Sequence, residues 1–195
     1  MAEIDTIIQI LIIISEGVWL IFPAYIANSS AVLFGHGKPV DMGKNFRDGR
    51  RIFGDGKTWY GLLGGTLAGV AFGFGQILGS GIQYPEHHWG YGPAPNAYLI
   101  AVLIPLGALM GDLLGSFIKR RLGHKRGERM AVLDIYDLVI GVFILLIIFE
   151  FEWFYHTFIE GIRVVALITV LILTPLLHRF TNIIGYKLGK KKEPW

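Results

Sequence analysis

The sequence predicts an all-α integral membrane protein that crosses the bilayer five times. Hydrophobic residues make up 53% of the 195 residues and charged residues only 17%, whereas a soluble domain is nearer a quarter charged. Mean hydropathy is +0.52, and apolar stretches of about 20 residues, the length that spans a bilayer, recur along the chain. A soluble single domain is therefore excluded. The absence of cysteine excludes disulfides, cysteine metal sites and thiol nucleophiles.

We interpret residues 1–195 as one membrane-embedded domain. The first apolar stretch lacks the basic start and the small-residue cleavage site of a signal peptide, and it is long enough to span. Two long connections, 29–58 and 119–131, follow the first and third spans. The spans are predicted at Ile7–Asn28, Trp59–Ile82, Ala97–Ile118, Val132–Phe149 and Gly161–His178.

The basic residues lie on one side of this map. Residues 29–58 and 119–131 contain six Lys and Arg each, the tail from residue 179 contains five, and the three other connections contain none. The positive-inside rule therefore predicts a multi-pass protein of the cell membrane, with its N-terminus outside and its long loops and C-terminus in the cytoplasm. Arg163 is expected to snorkel to the interface. An outer aromatic belt is expected from Tyr84, Trp89, Trp153 and Tyr155.

The first cytoplasmic loop has the composition of a polyphosphate-binding segment. Residues 29–58 contain six glycines, six basic residues and three Asp. Glycines let backbone N–H groups approach an oxyanion, and Lys and Arg add charge. Residues 54–58 do not form a P-loop, because Arg51 stands where the first glycine is needed. Lys57 and Thr58 are expected to cap the second span and to bind phosphate at its positive end.

Two interpretations of this loop stay open. The first is a polyphosphate site; the second is a solvated basic loop lying near anionic headgroups. The density of Gly with Asp, Asn and Thr favours the first, because a purely electrostatic anchor does not need these residues. His36 and His124 are interpreted as solvated loop residues and not as ligands.

Three aspartates are predicted at similar depth, just below the two basic loops. Asp112 precedes the end of the third span, and Asp134 and Asp137 share a helix face at the start of the fourth. Acids in a membrane are costly unless they are paired or bind a metal. They either pair with Lys or Arg from residues 119–131 or hold Mg²⁺ together with substrate phosphates. Glu16, near mid-bilayer, is interpreted as a protonated or paired packing group.

The chemistry that suits this assembly is phosphoryl or nucleotidyl transfer to a lipid. Mg²⁺ would orient a triphosphate, and basic side chains would stabilise the pyrophosphate that leaves. One alternative is a lipid kinase or phosphatase of the same membrane face. An ion-coupled transporter is less favoured, because the outer halves of the fourth and fifth spans are almost wholly apolar.

Three motifs resemble the signature of archaeal CDP-archaeol synthases. The longest and most specific is Lys44-Asn45-Phe46-Arg47-Asp48-Gly49-Arg50-Arg51, followed by Gly54-Asp55-Gly56-Lys57-Thr58. The others are Gly111-Asp112 with residues 116–121, and Asp134-x-x-Asp137. A looser pattern is similar to phosphatidate cytidylyltransferases, although their His-Gly-Gly element is absent from the sequence. It consists of Ser116, Lys119, Arg120, Asp134 and Asp137.

The resemblance implies a membrane cytidylyltransferase with Mg²⁺ as cofactor. It would transfer CMP from CTP to 2,3-di-O-geranylgeranylglyceryl phosphate, giving CDP-archaeol and pyrophosphate. The implied partners are CTP, the isoprenoid ether-lipid phosphate and membrane lipids; no nucleic acid and no protein partner is predicted.

The expected roles divide the motif residues into three groups. The metal ligands are expected to be Asp112, Asp134 and Asp137. The catalytic group is expected to be Lys119, Arg120, Asp134 and Asp137. The nucleotide is expected to bind Lys44, Asn45, Arg47, Asp48, Gly49, Arg50, Arg51, Asp55, Gly56, Lys57 and Thr58.

Overall fold

The structure, a computed structural model, describes residues 2–83, 89–125, 128, 130–187 and 189. Tyr84 of the expected belt, and Arg126, Arg129 and residues 190–192 of the charge map, lie outside the described residues. The helices are α1 (Ala2–Leu33), α2 (Trp59–Gln83), α3 (Asn96–Arg121), α4 (Ala131–Phe149), α5 (Phe151–Phe158) and α6 (Val164–Lys187), with a short 3₁₀ helix at Gly161–Arg163.

Five of the described helical segments are long and apolar enough to cross a membrane, which confirms the predicted fold class. The first helix continues to Leu33, past the predicted end at Asn28, because its polar residues there keep helical hydrogen bonds. Hydropathy ends where polar side chains begin, whereas a helix ends only where its backbone bonding stops. The spanning segments are Ile4–Leu33, Trp59–Ser80, Asn96–Arg121, Val132–Phe149 and Gly161–Lys187.

The bundle is built around α3, which packs against α1, α2 and α4. About half of its most apolar window is buried inside the protein (56%), more than in any other described span. The loop 34–58 and residues 122–125 lie at one end of the bundle, which we call the basic end. Functional groups carried by α3 at the basic end are therefore fixed by contacts on three sides.

The opposite end is closed by α5, which the sequence predicts only as a short connection. Phe158 is fully buried, and its ring centroid lies 5.6 Å from that of Phe143 on α4. Trp153, expected in an outer belt, packs instead against Tyr91 at a centroid distance of 5.8 Å. Aromatic side chains therefore pack at this end of the bundle, whereas the charged loop residues lie at the basic end.

Glycines allow α1 and α2 to approach closely. Gly61, Gly65 and Gly69 recur at every fourth residue of α2 and so form one stripe. A Cβ built on Gly65 would lie 2.6 Å from the carbonyl oxygen of Ala27, and one on Gly69 would lie 2.8 Å from that of Pro23. Small residues at this spacing are a common packing device between membrane helices.

Glu16 forms an ion pair with Arg163. Of the two alternatives expected for Glu16, protonated or paired, the structure shows the paired one. The guanidinium Nη1 of Arg163 donates to Glu16 Oε2 at 3.1 Å, and the Glu16 side chain is only 3% exposed. Arg163, expected to snorkel to the interface, therefore turns into the bundle. The pair joins α1 to the start of the fifth span, so that neither charge is left alone in the membrane.

Replacing Gly65 by Ala should lower the midpoint of thermal unfolding in detergent. The new methyl group would press on the backbone of α1 and on Leu109, and such overpacking costs about 1–3 kcal/mol. The matched control is Gly75→Ala, where nothing lies within 4 Å of the built Cβ. An unchanged midpoint in Gly65→Ala would contradict the close packing of α1 on α2.

Candidate active site

The loop between α1 and α2 folds over the basic end as a small hairpin. Asn45 pairs with Arg51, and Pro39 pairs with Thr58, in isolated antiparallel bridges. The chain reverses at Gly49, whose φ of +77° is a conformation that favours glycine. The segment expected to bind the nucleotide therefore has a defined backbone fold, which we call the hairpin (residues 38–58).

Asp41, which the sequence motifs do not single out, organises the hairpin. Its side chain is fully buried (0% exposed) and accepts hydrogen bonds from the backbone N–H groups of Gly43, Phe53 and Gly54 at 3.1, 3.0 and 2.8 Å. Arg51 donates to both carboxylate oxygens, at 3.2 and 2.6 Å. Burial alone would raise the pKa of this carboxyl, but these hydrogen bonds outweigh it and hold the pKa well below its usual range.

The segment after Arg51 leads directly to a lysine at the membrane. Arg51 Nη1 lies 2.7 Å from the carboxylate of Asp55, so this predicted nucleotide ligand bridges two acids of the hairpin. Asp55 and Gly56 form the turn that precedes Lys57, whose backbone N–H donates to the carbonyl of Gly54 at 3.3 Å. The turn places the Lys57 side chain toward the transmembrane helices.

Two arginines dock the hairpin onto the end of α3. Arg50 Nη1 donates to the carbonyl oxygens of Arg120 and Arg121, at 3.3 and 2.5 Å. These carbonyls belong to the last turn of α3, and that of Arg120 also accepts the backbone N–H of Gly123 at 3.1 Å. In return, Arg121 donates to Asp48 at 2.8 Å, and its guanidinium lies 4.8 Å from the ring centroid of Phe46. Asp48 and Arg50, expected at the nucleotide, thus also hold the two loops together.

The three predicted aspartates lie beneath the hairpin, together with two lysines. Lys57 Nζ lies 2.6 Å from each carboxylate oxygen of Asp112. Lys119 Nζ lies 2.8 Å from Asp134 Oδ1, and the other oxygen of Asp134 accepts the backbone N–H of Met130 at 2.9 Å. The pairing of Asp134 follows one of the two interpretations of these acids. The partner of Asp112 comes instead from the first loop.

Asp137 reaches the same region because glycines on α3 leave space for its side chain. A Cβ built on Gly115 would lie 2.8 Å from Asp137 Oδ2 and 3.0 Å from Asp137 Cβ. The recurrence of Gly107, Gly111 and Gly115 at every fourth residue is the sequence signal for this close approach. We call the three aspartates with Lys57 and Lys119 the acid layer.

The donor set of the acid layer fits a divalent cation that arrives with phosphate. No group of three or more His, Asp or Glu within reach of one metal ion occurs among the residues that the structure describes. Mg²⁺ at phosphate-transfer sites takes one or two carboxylates and completes its shell with phosphate oxygens and water. The acid layer offers three carboxylates, two of them paired with lysine ammonium groups. The metal role of these aspartates stays a prediction.

A cleft of about 360 Å³ opens between the hairpin and the residues that follow α3. Arg120 lines it, and the buried Nε of this residue finds no hydrogen-bond partner in the described part of the chain. His124 and Lys125 also line it, although the sequence assigns them no role. We call it the cationic cleft; its charged and titratable lining residues are Arg50, Arg51, Asp55, Arg120, His124 and Lys125.

Of the other predicted nucleotide ligands, Thr58 caps a helix, and three side chains are exposed. Thr58 Oγ1 accepts the backbone N–H of Gly61 at 3.1 Å and so caps α2, as predicted. Lys44, Asn45 and Arg47 are exposed on the hairpin, and their side chains form no hydrogen bond or ion pair within the described ranges. These three side chains are therefore available to a ligand.

Comparison with known proteins decides between the enzyme classes left open by the sequence. A family model described as CarS-like, CDP-archaeol synthase, matches residues 8–195. The chain belongs to this family. The resemblance carried by the three motifs is thereby confirmed, and the protein is a nucleotidyltransferase of the cytidylyltransferase class.

The similarity extends over almost the whole length of the relatives. This chain is 49% identical over 174 residues to the CDP-archaeol synthase of Methanoregula boonei, a match that covers 89% of this chain and 99% of the relative. It is 43% identical over 180 residues to that of Pyrococcus horikoshii, covering 92% and 96%.

A solved structure has a similar fold. That structure, of an intramembrane enzyme for archaeal membrane lipids biosynthesis, is 40% identical and superposes with a TM-score of 0.59. The match covers 82% of this chain and 93% of the other. With its spanning helices, this chain is a multi-pass membrane protein.

Replacing Asp41 by Asn should loosen the hairpin. The substitution keeps the side-chain size but removes the charge, and hydrogen bonds to charged groups contribute about 1.5–3 kcal/mol. We expect the amide hydrogens of Gly43, Phe53 and Gly54 to exchange about 10-fold faster or more, since a factor of ten corresponds to about 1.4 kcal/mol. Hydrogen-exchange mass spectrometry in detergent measures this.

The matched control is Asp55→Asn, which removes the exposed acid on the other side of the same arginine. Its carboxylate is 59% exposed and has one ion pair, so exchange in the hairpin should change little. Equal exchange in wild type and Asp41→Asn would contradict the organising role of Asp41.

Proposed function

We propose that the enzyme transfers CMP from CTP to 2,3-di-O-geranylgeranylglyceryl phosphate, forming CDP-archaeol and pyrophosphate. The relatives' shared name, CDP-archaeol synthase, supports the product. The observation that carries the proposal is the juxtaposition of the acid layer and the cationic cleft at one end of a membrane bundle. A soluble triphosphate and the head of a membrane lipid can meet only at such an end.

We also infer that the basic end faces the cytoplasm and that the N-terminus lies outside, in the cell membrane. The two loops at this end carry 12 of the 18 Lys and Arg, and the connections at the other end carry none. Loops rich in Lys and Arg remain on the cytoplasmic side during membrane insertion. This orientation gives the site access to cytoplasmic CTP.

The reaction is an in-line displacement at phosphorus. An oxygen of the lipid phosphate attacks the α-phosphorus of CTP and forms a new P–O bond. The bond from the α-phosphorus to the bridging oxygen breaks, and its electron pair leaves with pyrophosphate. A lipid phosphate is already ionised near neutral pH, so no side chain has to remove a proton from the nucleophile.

In this scheme, each lysine of the acid layer binds first an aspartate and then a phosphate. Before the nucleotide binds, Lys57 and Lys119 neutralise Asp112 and Asp134. When phosphates arrive, the ammonium groups turn to phosphate oxygens, which are strong acceptors for charged donors. Lys119 and Arg120 then contact the α-phosphate or the lipid phosphate, where charge develops.

The aspartates released in this way would hold Mg²⁺. Asp112, Asp134 and Asp137 supply the hard oxygen ligands that this ion prefers. When bound, the ion neutralises charge on the phosphates and orients them. On the hairpin, Lys44, Arg47, Arg50, Arg51 and Lys57 would contact the triphosphate, and Asn45, Asp48 and Asp55 would read cytosine or order the loop.

The deciding experiment is incubation of the purified protein with labelled CTP, Mg²⁺ and 2,3-di-O-geranylgeranylglyceryl phosphate. We expect a CDP-lipid and pyrophosphate in equal amounts. A lipid kinase would instead release a nucleoside diphosphate, and a phosphatase would release inorganic phosphate from the lipid. Either product pattern, or ion flux without nucleotide consumption, would overturn the proposal.

Replacing Asp134 by Asn should lower kcat by about 100-fold or more, the cost of losing a group that stabilises transition-state charge. The fold should persist, because Asn keeps an oxygen for the backbone N–H of Met130. The matched control is Asp5→Asn, an exposed acid near the start of α1. Near-normal turnover by Asp134→Asn would remove this residue from the chemistry.

Replacing Lys44 by Ala should raise KM for CTP about 10-fold, because one charged hydrogen bond to phosphate contributes about 1.5–3 kcal/mol. The control is Lys38→Ala, which removes another exposed lysine at the edge of the same loop. Steady-state kinetics with varied CTP measure the difference. If both variants keep the wild-type KM, Lys44 does not contact the nucleotide.

A further inference from the structure

The hairpin meets the bundle at an aromatic contact that the proposed transfer does not use. The ring centroid of Phe46 lies 5.2 Å from that of Phe117, and the two ring planes stand at 90°. Phe117 belongs to the third spanning segment, Asn96–Arg121. It lies four residues before the end of α3, which places it about 6 Å below that end at 1.5 Å per residue. A loop residue is thus in contact with a side chain at membrane level.

The face of α3 that carries Phe117 is its lipid-facing side. Other helices cover α3 on three sides, whereas Met110 and Leu114 remain 48% and 46% exposed. These two residues and Phe117 follow the spacing i, i+4, i+7, which places them on one helix face. Because α3 spans the membrane, the exposed apolar side chains of this face contact acyl chains. We call Met110, Leu114 and Phe117 the lipid stripe.

The ring of Phe46 extends the lipid stripe beyond the helix. Two hairpin rings rest on Phe117: Phe53, at a centroid distance of 6.4 Å, is partly buried, whereas Phe46 remains 42% exposed. Removal of an exposed phenyl ring from water is favourable. A ring that continues a lipid-facing surface at the same depth is covered by the same lipid.

Arg121 closes the ring pair on its polar side. Its guanidinium carbon lies 4.8 Å from the ring centroid of Phe46 and 4.9 Å from that of Phe117. The same guanidinium donates to Asp48 at 2.8 Å and to the backbone carbonyl of Arg50 at 3.2 Å. An arginine at a membrane interface lays its stem on apolar surface and keeps its charged head among polar groups. Arg121 therefore marks the boundary between the polar hairpin and the lipid stripe.

We propose that Phe46 anchors the hairpin in the leaflet at the basic end, with its ring among the acyl chains next to the headgroups. The partner is bilayer lipid, because the exposed ring is continuous with a helix face that lipid already covers. The anchor holds its chain neighbours Asn45 and Arg47, both predicted nucleotide ligands, at the membrane surface. Anchoring of the hairpin does not depend on the proposed reaction.

The absence of cysteine from the chain allows a test with one spin label at a time. The full chain with Phe46→Cys is labelled with a nitroxide and placed in nanodiscs of phosphatidylcholine and phosphatidylglycerol. Electron paramagnetic resonance then measures collisions of the label with oxygen, which concentrates in lipid, and with a water-soluble nickel chelate. We expect collisions with oxygen to be several-fold more frequent than those with the nickel chelate.

Two labelled variants give the reference values. Leu114→Cys reports the lipid stripe and should favour oxygen, whereas Asp55→Cys, whose native carboxylate is 59% exposed in the cationic cleft, should favour the nickel chelate. Equal access of the nickel chelate to the labels at positions 46 and 55 would overturn the proposal. A label at position 46 shielded from both reagents would place protein over the ring, such as a second copy of this chain, and would overturn it as well.

The unsubstituted protein gives a second measurement, which a failure of the variant to fold cannot affect. It is reconstituted with a phospholipid that carries a diazirine near the glycerol end of its acyl chain, and mass spectrometry locates the adducts formed on irradiation. We expect adducts on Phe46 as well as on Leu114. Adducts on Leu114 with none on residues 44–47 would contradict the anchor.

Discussion

The ion pair between Lys57 and Asp112 is the contact on which the site depends. It joins a water-exposed hairpin to a transmembrane helix, with both carboxylate oxygens at 2.6 Å from the ammonium nitrogen. The two side chains are about one quarter exposed, 26% and 24%, so their attraction is screened less than that of a surface pair. This contact brings a cation of the loop directly onto an acid of a membrane helix.

The rest of the basic end reinforces this junction. Asp41 gives the hairpin a fixed shape from inside, and the exchange of contacts between Arg50 and Arg121 fastens it to the end of α3. On the other side of α3, glycines allow Asp137 to approach the same level. One helix thus holds the acid layer against α4 and the cationic cleft against the hairpin, so that the two lie next to each other.

The sequence predicts the parts of this arrangement that local chemistry determines. Five spans follow from hydropathy, and the cap formed by Thr58 follows from its position before a helix. The helical end of α1 could not be predicted, because Asn28 and the serines after it are polar yet remain in the helix. Asp41 could not be predicted either, because two of its three backbone donors, Phe53 and Gly54, lie 12 and 13 positions away and only the folded hairpin brings them to it.

The ion-pair interpretation of the aspartates is confirmed for Asp134, and the metal interpretation stays a prediction. A lysine from residues 119–131 does pair with Asp134, but the lysine on Asp112 comes from the first loop. Sequence distance hides this second pair, since 55 positions separate its members. Each of these two acids is thus paired with an ammonium group, which offsets the cost of placing a charged carboxylate in the membrane.

The most direct test of this account is a double-mutant cycle on Lys57 and Asp112, read out by amide hydrogen exchange in the hairpin. The backbone N–H of Val40 donates to the carbonyl of Lys57 at 2.7 Å and reports on docking of this segment. Lys57→Met and Asp112→Asn should each speed its exchange, and the double variant should exchange no faster than the faster single variant. Acceleration of the double variant by the product of the two single factors would show that the residues act independently and would contradict the central claim.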